Sequence, residues 1–117
     1  SLLYGIMAVV NQYKFYGVDN VASTDAQTMF GSVLPAANET YLVKSIKVTS
    51  AGTPSVTVIN NSITTIKSAA LTANVTTELL TQPLVVEGGN TLTIASSSTD
   101  SFDIAVSYLN IKKEITS

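Results

Sequence analysis

Several short segments of the chain alternate between apolar and polar residues, and this period-two pattern constrains the fold more than any other feature. The clearest examples are residues 42–49 and 102–108, which are rich in β-branched and aromatic side chains. Alternation of this kind is typical of a β-strand with one buried face. The side chains predicted to share the buried faces are Leu42, Ile46, Val48, Phe102, Ile104, Val106 and Tyr108.

Residues that favour turns separate these segments. Asn60-Asn61 accepts positive φ and predicts a two-residue hairpin into residues 63–66. Glu87-Gly88-Gly89-Asn90 predicts a second hairpin, between residues 84–86 and 91–95. Short strands that follow each other closely along the chain, with turn residues and no helical stretch between them, predict an all-β protein. The expected architecture is an antiparallel β-sandwich, jelly-roll-like, with an N-terminal arm.

The N-terminal region is ambiguous by pattern. Ile6 to Val18 fits one face of a helix, but Gly5 and Gly17 flank an equally plausible strand, which we favour. On a strand, Tyr13 and Phe15 point to one side. The expected organisation is therefore an arm or first strand over residues 1–24 and a β-sandwich domain over residues 25–117.

The residue types that are absent exclude several classes of chemistry. The 117 residues contain no His, Cys, Trp or Arg, and six Lys face eight Asp plus Glu, which gives a formal charge of −2. Nucleic acid is therefore not an expected partner, because phosphate binding depends on Lys and Arg. Neither a Ser-His-Asp relay nor a His-ligated zinc site can be built. The carboxylates show no pairing signal, so we expect no enzyme activity, no metal site and no cofactor.

Residues 2–10 are apolar, but this run is far shorter than the ~20 residues that a membrane span needs. No membrane partner is therefore expected. An apolar segment next to aromatic residues is instead typical of an interface with another protein. The predicted interface residues are Leu2, Leu3, Tyr4, Ile6, Met7, Val9, Val10, Tyr13, Phe15 and Tyr16.

Longer stretches of the sequence resemble a known group of proteins. The stretch at 35–49 (PAANETYLVKSIKVT) is similar to a segment written P-A-N-T-x-x-V-K-S-I-x-V-x-N in small all-β virion proteins of tailed bacteriophages. Residues 71–94 are similar to their L-x-A-N-x-T-x-E-L-L-x-x-P-L-V-L-E-x-G-D-x-L segment, and residues 102–109 also fit. The sequence departs from this group at residues 1–24, which are longer than expected, and at Asn90, where Asp is commoner.

This resemblance implies a structural role in the virion. The expected function is a capsid decoration or cement protein on the capsid exterior. Its expected partners are the major capsid protein and further copies of itself, with a trimer favoured. A tail or fibre accessory is the alternative within the same group. A carbohydrate-binding or receptor-recognition module is the alternative of a different class, and it would use Tyr13, Phe15, Tyr16 or Tyr108.

Overall fold

A computed structural model describes residues 6–31 and 35–116, with side chains over residues 8–31 and 35–114. Every regular element in these ranges is a strand. The strands are β1 (Ile6–Val21), β2 (Gln27–Thr28), β3 (Glu39–Ser50), β4 (Ser55–Asn60), β5 (Ile63–Ala70), β6 (Thr77–Glu78), β7 (Leu84–Glu87), β8 (Leu92–Ser96) and β9 (Phe102–Thr116).

The strands form two antiparallel sheets. The first sheet has the order β1-β9-β3-β6, with β7 also paired to β3, and the second has the order β2-β8-β4-β5. Buried side chains from both sheets form one hydrophobic cluster. The predicted all-β class and antiparallel, sandwich-like construction are therefore confirmed.

The core is built by alternation on both sheets. Ile104 and Val106 of β9 and Val48 of β3 are buried on the first sheet, and Val56 and Val58 are buried on the second. Full burial of an aliphatic or aromatic side chain of this size stabilises a fold by about 1.5–3 kcal/mol. The alternating segments thus supply the apolar area that holds the two sheets together.

A β-bulge in β3 changes which of its residues are buried. The register with β9 shifts between Val43 and Ser45, so that Lys44 is an extra residue. Val43 is consequently buried opposite Tyr108, whereas Leu42 lies on the outer side of the sheet. The prediction that Leu42 shares the buried face of Ile46 and Val48 was wrong, because the extra residue reverses the alternation.

Four aromatic rings close one end of the core. Phe30 packs edge-on against Tyr41 and Tyr108, with ring centroids 4.8 Å apart in both pairs. Tyr16 of β1 approaches Phe30 at 5.7 Å. Aromatic pairs in such tilted arrangements add to the stabilisation from burial. The cluster ties β1 to the segment that follows β2.

The N-terminal segment forms a long strand, as favoured above. Residues 6–18 of β1 pair with β9 without interruption, and an irregularity between Val18 and Val21 follows. Sixteen residues span about 53 Å at about 3.3 Å per residue, which explains a molecule measuring 64 × 22 × 22 Å. From Ile6 to Val21 the predicted arm is thus part of the first sheet, residues 22–24 follow it outside the sheet, and residues 1–5 lie outside the described ranges.

The two turn predictions had different outcomes. The β4–β5 hairpin is present, but its central residues are Asn61 and Ser62, with φ of 50° and 64°, because Asn60 still pairs with Ile63. The second hairpin prediction was wrong. β7 pairs with β3 and β8 pairs with β4, so residues 88–91 cross between the two sheets.

The two phenylalanines at positions 102 and 15 offer a matched test of this core. Phe102 is 1% exposed and Phe15 is 67% exposed. Phe102→Ala should lower the free energy of unfolding by about 3–5 kcal/mol, because it leaves a cavity. Phe15→Ala should change it by about 0.5 kcal/mol. Urea denaturation followed by circular dichroism measures both values, and equal losses would contradict this core.

Candidate interaction surface

The predicted interface residues divide between two sides of β1. Val9, Tyr13 and Phe15 are exposed on the outer side of the strand. Val10 and Tyr16 lie on the other side, where Val10 is exposed and Tyr16 packs in the aromatic cluster. Ile6 and Met7 lie in β1, in the part for which only the backbone is described. Leu2, Leu3 and Tyr4 lie outside the described residues.

The outer side of the first sheet carries an apolar row that crosses four strands. Tyr13 of β1 lies opposite Leu109 of β9, Leu109 opposite Leu42 of β3, and Leu42 opposite Val85 of β7. Tyr13 is 76% exposed and Val85 is 47% exposed, while the two leucines are half-buried. The row therefore presents apolar surface on a hydrogen-bonded sheet, which is a favourable arrangement for contact with another molecule.

Phe15 extends this apolar surface beside the row. A Cβ atom placed on Gly17 would lie 2.9 Å from two ring carbons of Phe15, so the glycine leaves the space that the ring occupies. The ring lies at one end of a shallow cleft whose other side chains include Lys47, Thr49 and Asp103. Because the ring is already placed on the sheet, binding to it orders fewer side-chain rotamers.

Sequence reasoning found the β1 part of this surface and missed the rest. Leu109 could have been inferred, because it alternates with the predicted inward residue Tyr108. Leu42 could not, because the bulge at Lys44 has no clear sequence signal. Val85 lies in a run of three apolar residues, where alternation gives no direction.

Three carboxylates accept hydrogen bonds from backbone N–H groups, two of them where a strand is irregular and one at the start of a strand. Glu78 accepts a hydrogen bond from the N–H of Ile46 at 2.8 Å, beside the bulge in β3, and also contacts the Ser45 hydroxyl. Asp103 accepts one from the N–H of Asn20 at 2.9 Å, beside the irregularity in β1. These contacts satisfy donors that the sheet ladder leaves unpaired.

The third carboxylate, Glu39, holds the start of β3. It accepts hydrogen bonds from the N–H of Ala36 at 2.9 Å and from Nδ2 of Asn110 at 2.8 Å. The backbone hydrogen bond from Ala36, followed by the bond from Asn110, lowers the pKa of Glu39 below its ordinary value of 4.5. The ionised form of Glu39 is therefore the one that stabilises the fold.

In the ranges 6–31 and 35–116, no three His, Cys, Asp or Glu side chains are grouped so as to hold a metal ion. The same ranges contain no helix long and apolar enough to cross a membrane. The sequence matches no protein-family model and no curated protein.

Glu39→Gln tests the role of this carboxylate. A lowered folded-state pKa means that Glu39 contributes stability above pH about 4.5 and loses it as the pH falls through the folded-state value. The variant should lose about 1–2 kcal/mol at pH 7 and show a shallower loss of stability between pH 5 and pH 2. Urea titrations across this pH range measure the effect. Glu87→Gln, at an exposed position in β7, is the control, and identical pH profiles for the wild type and Glu39→Gln would contradict this role.

Proposed function

We propose that this protein is a structural component of a bacteriophage particle, acting as a decoration protein on the capsid exterior. Its partners would be the major capsid protein and further copies of itself, with the trimer that the resemblance favours. The observation that carries the proposal is the apolar row Tyr13–Leu109–Leu42–Val85, with Phe15 beside it. Such a surface favours burial against another protein.

The strand order supports a jelly-roll-like fold. The first strand pairs with the last, and the chain changes sheet at every connection except β4–β5 and β6–β7. If β6 and β7, which both pair with β3, are counted as one interrupted strand, the sheets hold eight strands in two sets of four. Jelly rolls with eight strands in two sheets are frequent in viral capsid and lectin domains. The start of β1, residues 6–9, extends beyond Glu39 at the start of β3 and would serve as the N-terminal arm.

The proposed mechanism is passive. Aromatic and aliphatic side chains that leave water on docking contribute binding energy roughly in proportion to their buried area. A protein that binds only the assembled shell stabilises that state by mass action. Because the sheet presents Tyr13 and Phe15 on an ordered backbone, little of the binding energy is lost in ordering the surface.

Binding to capsids of the phage that encodes the chain tests this function. Tyr13→Ser and Phe15→Ser together should reduce capsid occupancy at least about tenfold, since buried aromatic residues dominate interface energetics. The readout is co-sedimentation with purified capsids from which the protein has been removed. Ile63→Ser, at an equally exposed apolar position on the second sheet, should retain binding. The proposal would be overturned if the wild-type protein did not bind the capsids, or if all variants bound with equal occupancy.

Point substitutions are preferable here to removal of the N-terminal region. Residues 6–16 pair with β9, and Tyr16 packs in the aromatic cluster. A truncation up to residue 16 would therefore disturb the core together with the surface. Tyr13 and Phe15 are the most exposed of the predicted interface residues whose side chains are described, so they can be changed with little effect on the fold.

The cleft beside Phe15 favours one alternative, a carbohydrate-binding module. An exposed ring next to Lys47 and Asp103 offers an apolar face together with polar groups. Tyr108 is buried and Tyr16 packs against the core, so Tyr13 and Phe15 remain the aromatic candidates for a sugar contact. Binding on a glycan array that is lost in Phe15→Ala would favour this alternative over capsid decoration.

A further inference from the structure

The free edge of β1 differs from the other sheet edges in the described part of the chain. There β1 pairs with β9 alone, and residues 6–18 run without a bulge or a proline. The edge strands β2 and β6 have only two residues each, and β7 has four. In β5 the pairing with β4 is interrupted twice, and Ser68 has a φ of 52°. Long regular edges are the ones that accept a further strand.

Exposed apolar side chains lie on both sides of β1. Val9 is on the outer side, with Tyr13, and Val10 is on the opposite side; they are 57% and 45% exposed. A partner lying flat on one side of the sheet would cover only one of them. A strand added in the plane of the sheet would contact both, and it would also pair the free backbone groups of β1.

We propose that this added strand is β1 of a second copy, in a symmetric antiparallel pair. A two-fold axis perpendicular to the sheet keeps outer side chains on the outer side in both copies. The axis passes beside one residue, which lies opposite itself in the other copy. Residues at equal distances before and after it then lie opposite each other. The charge on residues 6–18 is a single lysine, Lys14. The charges that each possible register brings near Lys14 therefore distinguish between the registers whose axis lies near the middle of the strand.

Within its own chain Lys14 is close enough to Glu39 to lower the pKa of that carboxylate. Three of these registers bring Lys14 no opposite charge from the second copy. An axis at Lys14 sets the two lysines directly opposite each other. An axis at Gln12 sets Lys14 opposite Val10, whose neighbour on β9 is Lys112. An axis at Tyr13 sets it opposite Gln12, whose neighbour on β9 is the neutral Asn110. Like charges placed opposite each other destabilise a strand pair.

An axis at Asn11 gives Lys14 an opposite charge. In this register Lys14 of one copy lies opposite Ala8 of the other, and the neighbour of Ala8 on β9 is Glu114. Strands lie about 4.8 Å apart, so Lys14 and Glu114 would be two strands apart with only a small side chain between them. One oxygen of Glu114 pairs with Lys112 at 3.3 Å, but the side chain is 42% exposed, so a second lysine can reach its carboxylate.

The same register also matches the apolar side chains. Val9 of each copy lies opposite Tyr13 of the other on the outer side, and pairs of a β-branched and an aromatic residue stabilise antiparallel strands. Asn11 lies opposite Asn11 at the axis. The apolar rows of the two copies thus lie on the same side of one continuous sheet.

This inference rests on the self-association that is part of the proposed function, and it specifies the contact. A two-fold contact produces a dimer, or a hexamer where it joins two trimers, and it does not by itself produce a trimer. It can be tested apart from the capsid partner, because it uses the free backbone edge of β1 and shares only Tyr13 with the apolar row.

Single cysteines test the register, since the chain has none of its own. Asn11→Cys should form a covalent dimer under mild oxidation, because opposed residues lie within the Cα distance that a disulfide allows. Val9→Cys and Tyr13→Cys should each form no disulfide alone, since identical residues would then be about 13 Å apart along the strand. A mixture of these two variants should give the mixed dimer. The readout is non-reducing electrophoresis together with sedimentation of the wild-type protein.

A charge reversal provides a second, independent measurement. Lys14→Glu should raise the dissociation constant of the dimer about tenfold, because the symmetric dimer contains the contact between Lys14 and Glu114 two times. Adding Glu114→Lys should restore the affinity. Circular dichroism confirms that the fold is retained. A wild-type chain that sediments as a monomer at high concentration, or an Asn11→Cys variant that does not cross-link, would overturn the inference. Cross-linking of Ile63→Cys as efficient as that of Asn11→Cys would do the same. Capsid occupancy of Lys14→Glu is measured as well, because binding to the capsid tests the proposed function whether or not the dimer forms.

Discussion

The backbone pairing of β9 on both of its sides is the interaction on which the rest of the structure depends. β9 lies between β1 and β3, and its 15 residues supply Phe102, Ile104, Val106 and Tyr108 to the core. The opposite side of the same strand supplies Leu109 to the apolar row. Because side chains alternate along a strand, one regular element fixes both the buried face and the outer surface. The pairing of β9 therefore fixes the position of the proposed docking face relative to the core.

The sequence was sufficient for the fold class because the alternating segments are long and rich in β-branched residues. The pattern correctly assigned Phe102, Ile104 and Val106 to one buried side, and β1 to a strand. The pattern could not predict which strands pair with each other. The Gly88-Gly89 turn looks like a hairpin from local chemistry, but the chain crosses there between two sheets. Whether a turn joins neighbouring strands depends on packing far away in the sequence, which turn residues alone do not encode.

The candidate site was predictable to a similar degree. Tyr13 and Phe15 were identified from the aromatic segment of β1, and alternation placed them on one side of the strand. That this side is the outer one became clear only from the packing of Tyr16 against the core. Their neighbours in the row come from three other strands, so they could be found only once the register was known. Glu39 illustrates a second limit. Its lowered pKa depends on Ala36 and on Asn110, which is 71 residues away in the chain.

The extra residue at Lys44 carries a consequence for how this surface can vary. On the N-terminal side of the bulge, Leu42 faces outward and Val43 inward, while beyond it Ile46 again faces inward. The number of residues at this point thus decides whether Leu42 or Val43 is on the outer side of the sheet, where another molecule can contact it. Loss or gain of one residue there would exchange interior and exterior along half a strand, so a change in length would alter binding more drastically than most changes of residue type.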